Sequence, residues 1–172
     1  MPPPAPTIKP ATKADLPAIL DMAQALATHH DDTAAVTLAT LNRDMLGKPA
    51  WAPTLVARAE SRPIGYATLC PLIQLQWGVR GMEMHHLFML QDWRGRGIGQ
   101  RLIKAAMKTA ADMGCTYMTV GTHPDNHPAQ RLYQAAGFTP LPDRGPRFSI
   151  RLGSGIPDPR QLTIYSPPLF RP

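Results

Sequence analysis

The chain is short of cysteine, of long apolar runs and of clustered like charge, and each shortage closes off a class of protein. Two cysteines, Cys70 and Cys115, among 172 residues cannot build a disulfide framework, so reduced thiols in a cytoplasmic protein are expected. No apolar stretch approaches the roughly 18 residues a membrane helix needs, and no membrane partner is expected. The opening Met1-Pro2-Pro3-Pro4-Ala5-Pro6 has neither the basic nor the apolar region of a signal peptide. No long block of like charge occurs, so a nucleic-acid-binding arm is not expected. Aromatic residues are only 6% of the chain; Trp51, Trp77 and Trp93 carry no RNA-binding signature around them and read as packing residues.

What is present suits one globular domain with a proper core. Apolar residues make up 44% and charged residues 17%, a balance far from that of disordered chains. Lysine and arginine number 18 against 12 acids, a net charge of +6. The excess predicts an anionic partner. The densest basic stretch, Arg94-Gly95-Arg96-Gly97-Ile98-Gly99-Gln100-Arg101, is interleaved with glycine, which points to phosphate and not to a duplex. Prolines gather at the two ends. Residues 1–7 therefore read as an extended N-terminus, 153–172 as a proline-rich tail, and 8–152 as one continuously patterned domain.

Within that block, Ile8–Ala11 reads as an edge strand. Thr12 and Asp15 resemble a capping box. Leu16, Ile19, Leu20, Ala23 and Leu26 then recur at helical spacing to about Thr28. A short helix follows over Thr37–Leu46. Thr54–Ala59, Ile64–Leu75 and Met82–Leu90 read as strands of an antiparallel meander, with Pro71 expected to bulge or bend the second. Gly97–Asp112 is the strongest helix, its apolar face built on Ile98, Leu102, Ala105 and Ala106 and widened by Ile103, Met107 and Ala110. Cys115–Gly121 is a strand. Asn126 caps a helix that ends near Gly137, and further strands are expected from Phe138 and over Arg147–Leu152. The strand–helix–strand crossover through Gly97–Asp112 implies a parallel pair inside a mixed sheet.

Chemistry concentrates at the turn into the Gly97 helix. Glycines 95, 97 and 99 let backbone approach a ligand closely, and the helix N-terminus offers unpaired N–H groups and a positive dipole end. Together they make an anion site, to which Arg94, Arg96 and Arg101 add charge. It is neither a Walker A loop nor a dinucleotide fingerprint. His123 and His127 have metal-pair spacing, but Pro124 and Pro128 break the helix that would align them, so no metal is expected.

Arg94-x-x-Gly97-x-Gly99 resembles the pyrophosphate motif of the GNAT superfamily of acyl-CoA-dependent N-acetyltransferases. Asn126-His127-Pro128-Ala129-Gln130-Arg131-Leu132-Tyr133-Gln134-Ala135-Ala136-Gly137-Phe138 is similar to that family's second signature. The resemblance covers roughly 8–152 and implies an α/β (α+β) GNAT fold: a mixed, mostly antiparallel, twisted sheet flanked by helices. Its parallel pair should splay at the cofactor site. The layout from Leu26 to Leu46 looks most like diamine acetyltransferases. Those tend to carry consecutive acids where His85-His86 stand, which weakens the case for a polyamine.

The resemblance implies an enzyme that moves acetyl from acetyl-CoA to a primary amine, on a small molecule or a peptide, by direct attack in a ternary complex. Pantetheine would lie along Leu87-Phe88-Met89 and near Asn126, and pyrophosphate on Arg94, Gly95, Arg96, Gly97, Ile98, Gly99 and Gln100. Tyr133 matches the family's general acid. The loop holding His29, His30 and Asp31 would border the amine, and a homodimer is expected. Strand alternation puts Glu83, His85, Leu87 and Met89 on one face and Met84, His86, Phe88 and Leu90 on the other. In resembling enzymes the active-site face carries its acid or histidine where Glu83 and His85 stand. His85 is the first candidate for the base, its ordinary pKa suiting the task, and Glu83 the second. The alternative is a non-catalytic acyl-CoA-binding or nucleic-acid-binding domain that keeps the fold.

Overall fold

The computed structural model describes residues 5–29 and 34–141, together with Ile150 and Leu152. It divides into two compact units, one ending at Thr119 and one beginning at Val120. In the first, a five-stranded sheet runs in the order β1 (Thr7–Pro10), β2 (Thr54–Ala59), β3 (Arg62–Gln74), β4 (Val79–Met89) and β5 (Cys115–Val120). The first four strands pair antiparallel, and β5 lies parallel to β4. The start of β5 sits beside the start of β4: Cys115 Sγ lies 3.3 Å from the Gly81 carbonyl, and the Thr116 hydroxyl 3.4 Å from that of Arg80. A Cβ at Gly81 would collide with the Tyr117 ring, so glycine is what lets these strands close up.

Helices α1 (Leu16–His29) and α2 (Leu38–Leu46) cover one face. Leu16, Ile19, Met22 and Ala23 of α1 and Leu41 of α2 pack on Val56, Tyr66 and Phe88, three residues that lie side by side across β2, β3 and β4. Helix α3 (Ile98–Asp112) packs on β2, β3 and β4. It buries Ile98, Leu102, Ile103, Ala106 and Ala110; Met107, expected on that face, is 43% exposed. Thr12 and Asp15 form the expected capping box around a 3-10 turn that leads into α1. Thr37 caps α2.

Pro71 neither bulges nor breaks β3: it pairs in register with Met82. Pairing with β2 stops at Thr54 and Thr68, so among the described residues Pro71 has no strand on the outer edge of β3, where a missing N–H is tolerated. The irregularity sits instead at Thr68/Leu69, opposite His86 and Met84. In the second unit, α4 (His127–Ala135) begins at an Asn126 cap and ends at Gly137 with φ 96°. Residues 138–141 form no strand. The remaining expected strand, Arg147–Leu152, falls almost wholly outside the described residues.

The α1 entry is held by charge as well as by packing. Arg58 of β2 donates through Nε to Asp15 Oδ1 at 2.9 Å and through Nη2 to Oδ2, while the Thr12 N–H and hydroxyl each donate to Oδ2 at 2.7 Å. The two side chains are only 14% and 5% exposed. Burial pushes the Asp15 pKa up, but the Arg58 and Thr12 hydrogen bonds outweigh it and leave the carboxyl below its ordinary value. Stability from this carboxylate is therefore complete above the ordinary carboxylate range and is lost as pH falls through the lowered pKa. Asp15→Asn should cost roughly 3 kcal/mol in urea unfolding, because it leaves a buried guanidinium without its counter-charge. The variant should also lose part of the acid-dependent fall in stability.

Candidate active site

Strand β4 carries one residue more than its partner. Thr68 pairs with His86 and Leu69 with Met84, so His85 is the extra residue of a β-bulge. A bulge changes the phase of the strand. Before it, Glu83 pairs with Cys70 and Met84 with Leu69; after it, Phe88 pairs with Tyr66 and Leu87 with Ala67. Glu83, His86 and Phe88 thus share the face covered by α1 and α2, while Met82, Met84, Leu87 and Met89 share the other. This corrects the unbroken alternation expected from sequence, which grouped Glu83 with Leu87 and Met89, and His86 with Met84.

The bulge brings polar side chains into line. The His85 and His86 rings stack with centroids 4.6 Å apart and planes 10° from parallel. His85 Nδ1 lies 3.8 Å from Glu83 Oε1, the histidine 56% exposed and the glutamate 13%. That separation exceeds a direct hydrogen bond, but it places a negative charge beside the ring. His86 Nδ1 lies 3.0 Å from the Tyr66 hydroxyl, and Tyr66 is fully buried. Burial, then the nearby Glu83 charge, raise the Cys70 thiol pKa. Tyr66 and Cys70, both on β3, are members of this group that sequence reading missed. The available signal was the adjacent His85-His86 pair: two polar residues in succession interrupt the alternating Met82-Glu83-Met84 pattern.

Beyond β4 the chain makes a 3-10 turn over Gln91–Trp93 and enters α3. Gly95 and Gly97 have φ of 71° and 75°, left-handed values that side chains disfavour. Gly97 is the helix N-cap and no side chain caps the helix. The first bond across the cap runs from the Arg101 N–H to the Gly97 carbonyl, 3.2 Å, so the first-turn N–H groups of Ile98, Gly99 and Gln100 have no intrahelical partner. Nothing stands within 4 Å of where a Cβ would lie on Gly95 or Gly97. An anionic group fits this open, donor-lined turn.

The three arginines expected to add charge at the turn each make a contact of their own. Arg94 folds back, donating from Nε to the Met89 carbonyl at 3.0 Å and lying 5.7 Å from the Phe88 ring centroid. Arg96 stacks on Trp93 at 4.9 Å. Arg101 donates to the Pro6 carbonyl at 2.6 Å. Each guanidinium thus braces the turn or its surroundings.

In the second unit, Asn126 Oδ1 accepts from the Ala129 N–H at 3.2 Å, capping α4. Burial pushes the Tyr133 phenol up to about 12, so it keeps its proton at any ordinary working pH. Its ring meets Phe138 edge-on, centroids 6.0 Å apart. His127 opens α4 and His123 precedes it, so the two do not share a helix. No group of three metal-ligating side chains occurs among the described residues, and no helix there is long and apolar enough to cross a membrane. His29 is the last residue of α1; His30 and Asp31 lie outside the described residues.

Residues 17–138 match the acetyltransferase (GNAT) family, and the chain belongs to it. The chain is 33% identical over 84 residues to an uncharacterized N-acetyltransferase of Mycobacterium tuberculosis, a match covering 49% of this chain and 51% of that protein. The chain thus spans about half the length of that relative. Two longer matches are a thialysine N-epsilon-acetyltransferase of Bos taurus and an L-methionine sulfoximine/L-methionine sulfone acetyltransferase of Pseudomonas aeruginosa. The first is 27% identical, covering 78% of this chain and 84% of its own. The second is 28% identical, covering 83% and 87%. Among solved structures, an aminoglycoside acetyltransferase from an uncultured soil metagenomic sample, in complex with sisomicin, superposes with a TM-score of 0.69 at 17% identity. That match covers 86% of this chain and 97% of the other, and it shows the shared fold.

If the left-handed turn is held by its glycines, Gly95→Ala and Gly97→Ala should each lower stability by roughly 1–2 kcal/mol in urea unfolding. Gly99→Ala, inside the helix, should not destabilise the protein.

Proposed function

We propose that this protein transfers acetyl from acetyl-CoA to a primary amine on a small molecule or peptide. The observation that carries the reading is the bulged β4 leading directly into the glycine turn and uncapped N-terminus of α3. An acyl group on the strand and a pyrophosphate on the turn would then be held by one continuous piece of backbone. The turn from Arg94 to Gln100 binds the pyrophosphate through N–H groups and the helix dipole. Leu87, Phe88 and Met89 support the pantetheine, and the family resemblance gives Asn126 a part in binding it as well.

The amine nitrogen attacks the thioester carbonyl carbon, a C–N bond forms and the C–S bond breaks. His85 accepts the proton the amine must lose, and Glu83 steadies the imidazolium that results. A β4 backbone N–H faces the negative charge developing on the carbonyl oxygen. Tyr133, held protonated by burial, gives its proton to the departing sulfur. The His29, His30 and Asp31 segment contributes to amine recognition. The same reading carries a cytoplasmic homodimer, whose mass light scattering measures.

Release of free thiol from acetyl-CoA, followed across a panel of lysine analogues, amino acids, aminoglycosides and peptides, tests the activity. Absence of turnover with every acceptor, alongside retained CoA binding, would favour an acyl-CoA-binding domain. Gly97→Asp should abolish CoA binding in calorimetry while the protein stays folded by circular dichroism, since it sets a carboxylate where phosphate must lie. Tyr133→Phe should lower kcat by roughly ten- to ten-thousand-fold with CoA affinity nearly unchanged. His85→Gln should lower kcat/KM strongly, and Glu83→Gln should have the smaller effect. The reverse ranking would make Glu83 the base.

A further inference from the structure

We infer that the Thr119 hydroxyl of β5 is part of the acceptor seat and takes a hydrogen bond from the amine nitrogen, so that the site reads a primary amine by its second N–H. The inference rests on the acetyl-transfer reading above and deepens it.

Two side-chain oxygens among the described residues are buried without a hydrogen-bond partner, Gln74 Oε1 and Thr119 Oγ1. A hydroxyl in that state is costly, because no bond offsets its desolvation. At a threonine the cost is avoidable, since valine has nearly the same shape and no polar atom. An unpaired buried hydroxyl there points to a partner that arrives with a ligand. Gln74 pairs with Val79 at the far end of the β3–β4 hairpin. Thr119 is 6% exposed and stands next to last in β5.

Its level and its face follow from the start of that strand. Cys115 contacts Gly81 and Thr116 contacts Arg80, 34 and 36 residues apart in the chain. Carried along two parallel strands, the same offsets bring Thr119 level with Glu83–His85. The Tyr117 ring lies where a Gly81 Cβ would project. Gly81 pairs with Leu72, and Glu83 pairs with Cys70 two residues away, so Gly81 and Glu83 share a face. Tyr117 is thus on the Glu83 face, and Thr119, two residues on, shares it.

That position decides which reacting group the hydroxyl meets. The glycine turn lies beyond the C-terminal end of β4. A cofactor reaching back along Met89, Phe88 and Leu87 presents its acyl carbon towards the bulge. The amine approaches from the remaining side, where Glu83 and Thr119 stand. A neutral primary amine attacks with its lone pair and carries two hydrogens. One leaves to the base as the C–N bond forms and the C–S bond breaks. The other stays on nitrogen and is retained in the amide product. Thr119 Oγ1 accepts that second hydrogen. A secondary amine has one hydrogen and loses it, which leaves the hydroxyl unpaired again. The seat therefore favours primary amines by a hydrogen bond.

Thr119→Val and Thr119→Ser in the full chain test this. The probes are the acceptor of the panel above that the parent protein turns over fastest, and the N-methyl derivative of that acceptor. Thr119→Val should lower kcat/KM for the primary amine roughly five- to fifty-fold, through KM for the amine more than through kcat. Turnover of the N-methyl derivative should fall far less, so the preference for the primary amine shrinks. Thr119→Ser keeps the hydroxyl and should recover most of the loss. CoA affinity in calorimetry should be unchanged. The urea midpoint of Thr119→Val should equal or exceed that of the parent, since an unpaired polar group has been removed. A lower midpoint would mean that the hydroxyl is bonded within the fold, and would overturn the inference. Parent-like kcat/KM in Thr119→Val, or an equal loss with both amines, would overturn it too. A parent protein that turns over no amine fails the acetyl-transfer reading and removes this inference with it. An active parent with an indifferent Thr119→Val fails the inference alone.

Discussion

A strand can change which face its side chains occupy only by gaining or losing a residue against its partner. Strand β4 does so once, at His85, and the polar group around it depends on that step. Without it, Glu83 and His86 would fall on opposite faces. With it, both face the side that α1 and α2 cover, and His85, released from strict alternation, lies exposed with its ring against that of His86. The hydrophobic face is not lost: Met82 and Met84 before the bulge and Leu87 and Met89 after it continue the packing opposite. One inserted residue thus serves two demands, keeping the core apolar and collecting titratable groups at one place.

The turn into α3 solves a different problem by a related means. An anion site is usually imagined as a cluster of positive side chains, and this chain has an excess of them. Yet Arg94, Arg96 and Arg101 bond to the Met89 carbonyl, the Trp93 ring and the Pro6 carbonyl. Beside them the turn offers main-chain donors, and two of its glycines have left-handed backbone angles. Backbone donors lose no side-chain entropy when a ligand arrives, and a turn braced by its own arginines is already in the shape it must hold.

Most of the architecture was legible from residue patterns because the patterns were local. Thr12 with Asp15, Thr37, Asn126 and Gly137 mark helix ends by hydrogen-bonding and conformational preference, and each does so in the structure. The glycine turn was legible for the same reason. What escaped was non-local. Pro71 was expected to deform β3 because its missing N–H is visible in sequence; that β2 stops short of it is not. Conversely, the bulge at His85 depends on how β4 is counted against β3, and no property of His85 alone announces it. Tyr66 and Cys70 stand many residues from the histidines and glutamate they meet, so only the register of two strands joins them. The arginines were read as charge alone, because sequence shows the charge and not the carbonyl or ring that lies beside it.

The reach of β3 and β4 beyond the end of β2 has a consequence for how the molecules behave in a crowd. Among the described residues, β3 from Cys70 to Gln74 pairs only with β4, and nearby Ile73, Leu75 and Trp77 are well exposed. An open strand edge with apolar side chains beside it is a template for another chain to add to. Pro71 stands in the middle of that edge and cannot contribute a donor to an incoming strand. A residue whose missing hydrogen no described neighbour asks for thereby makes that edge a poorer template for an added strand.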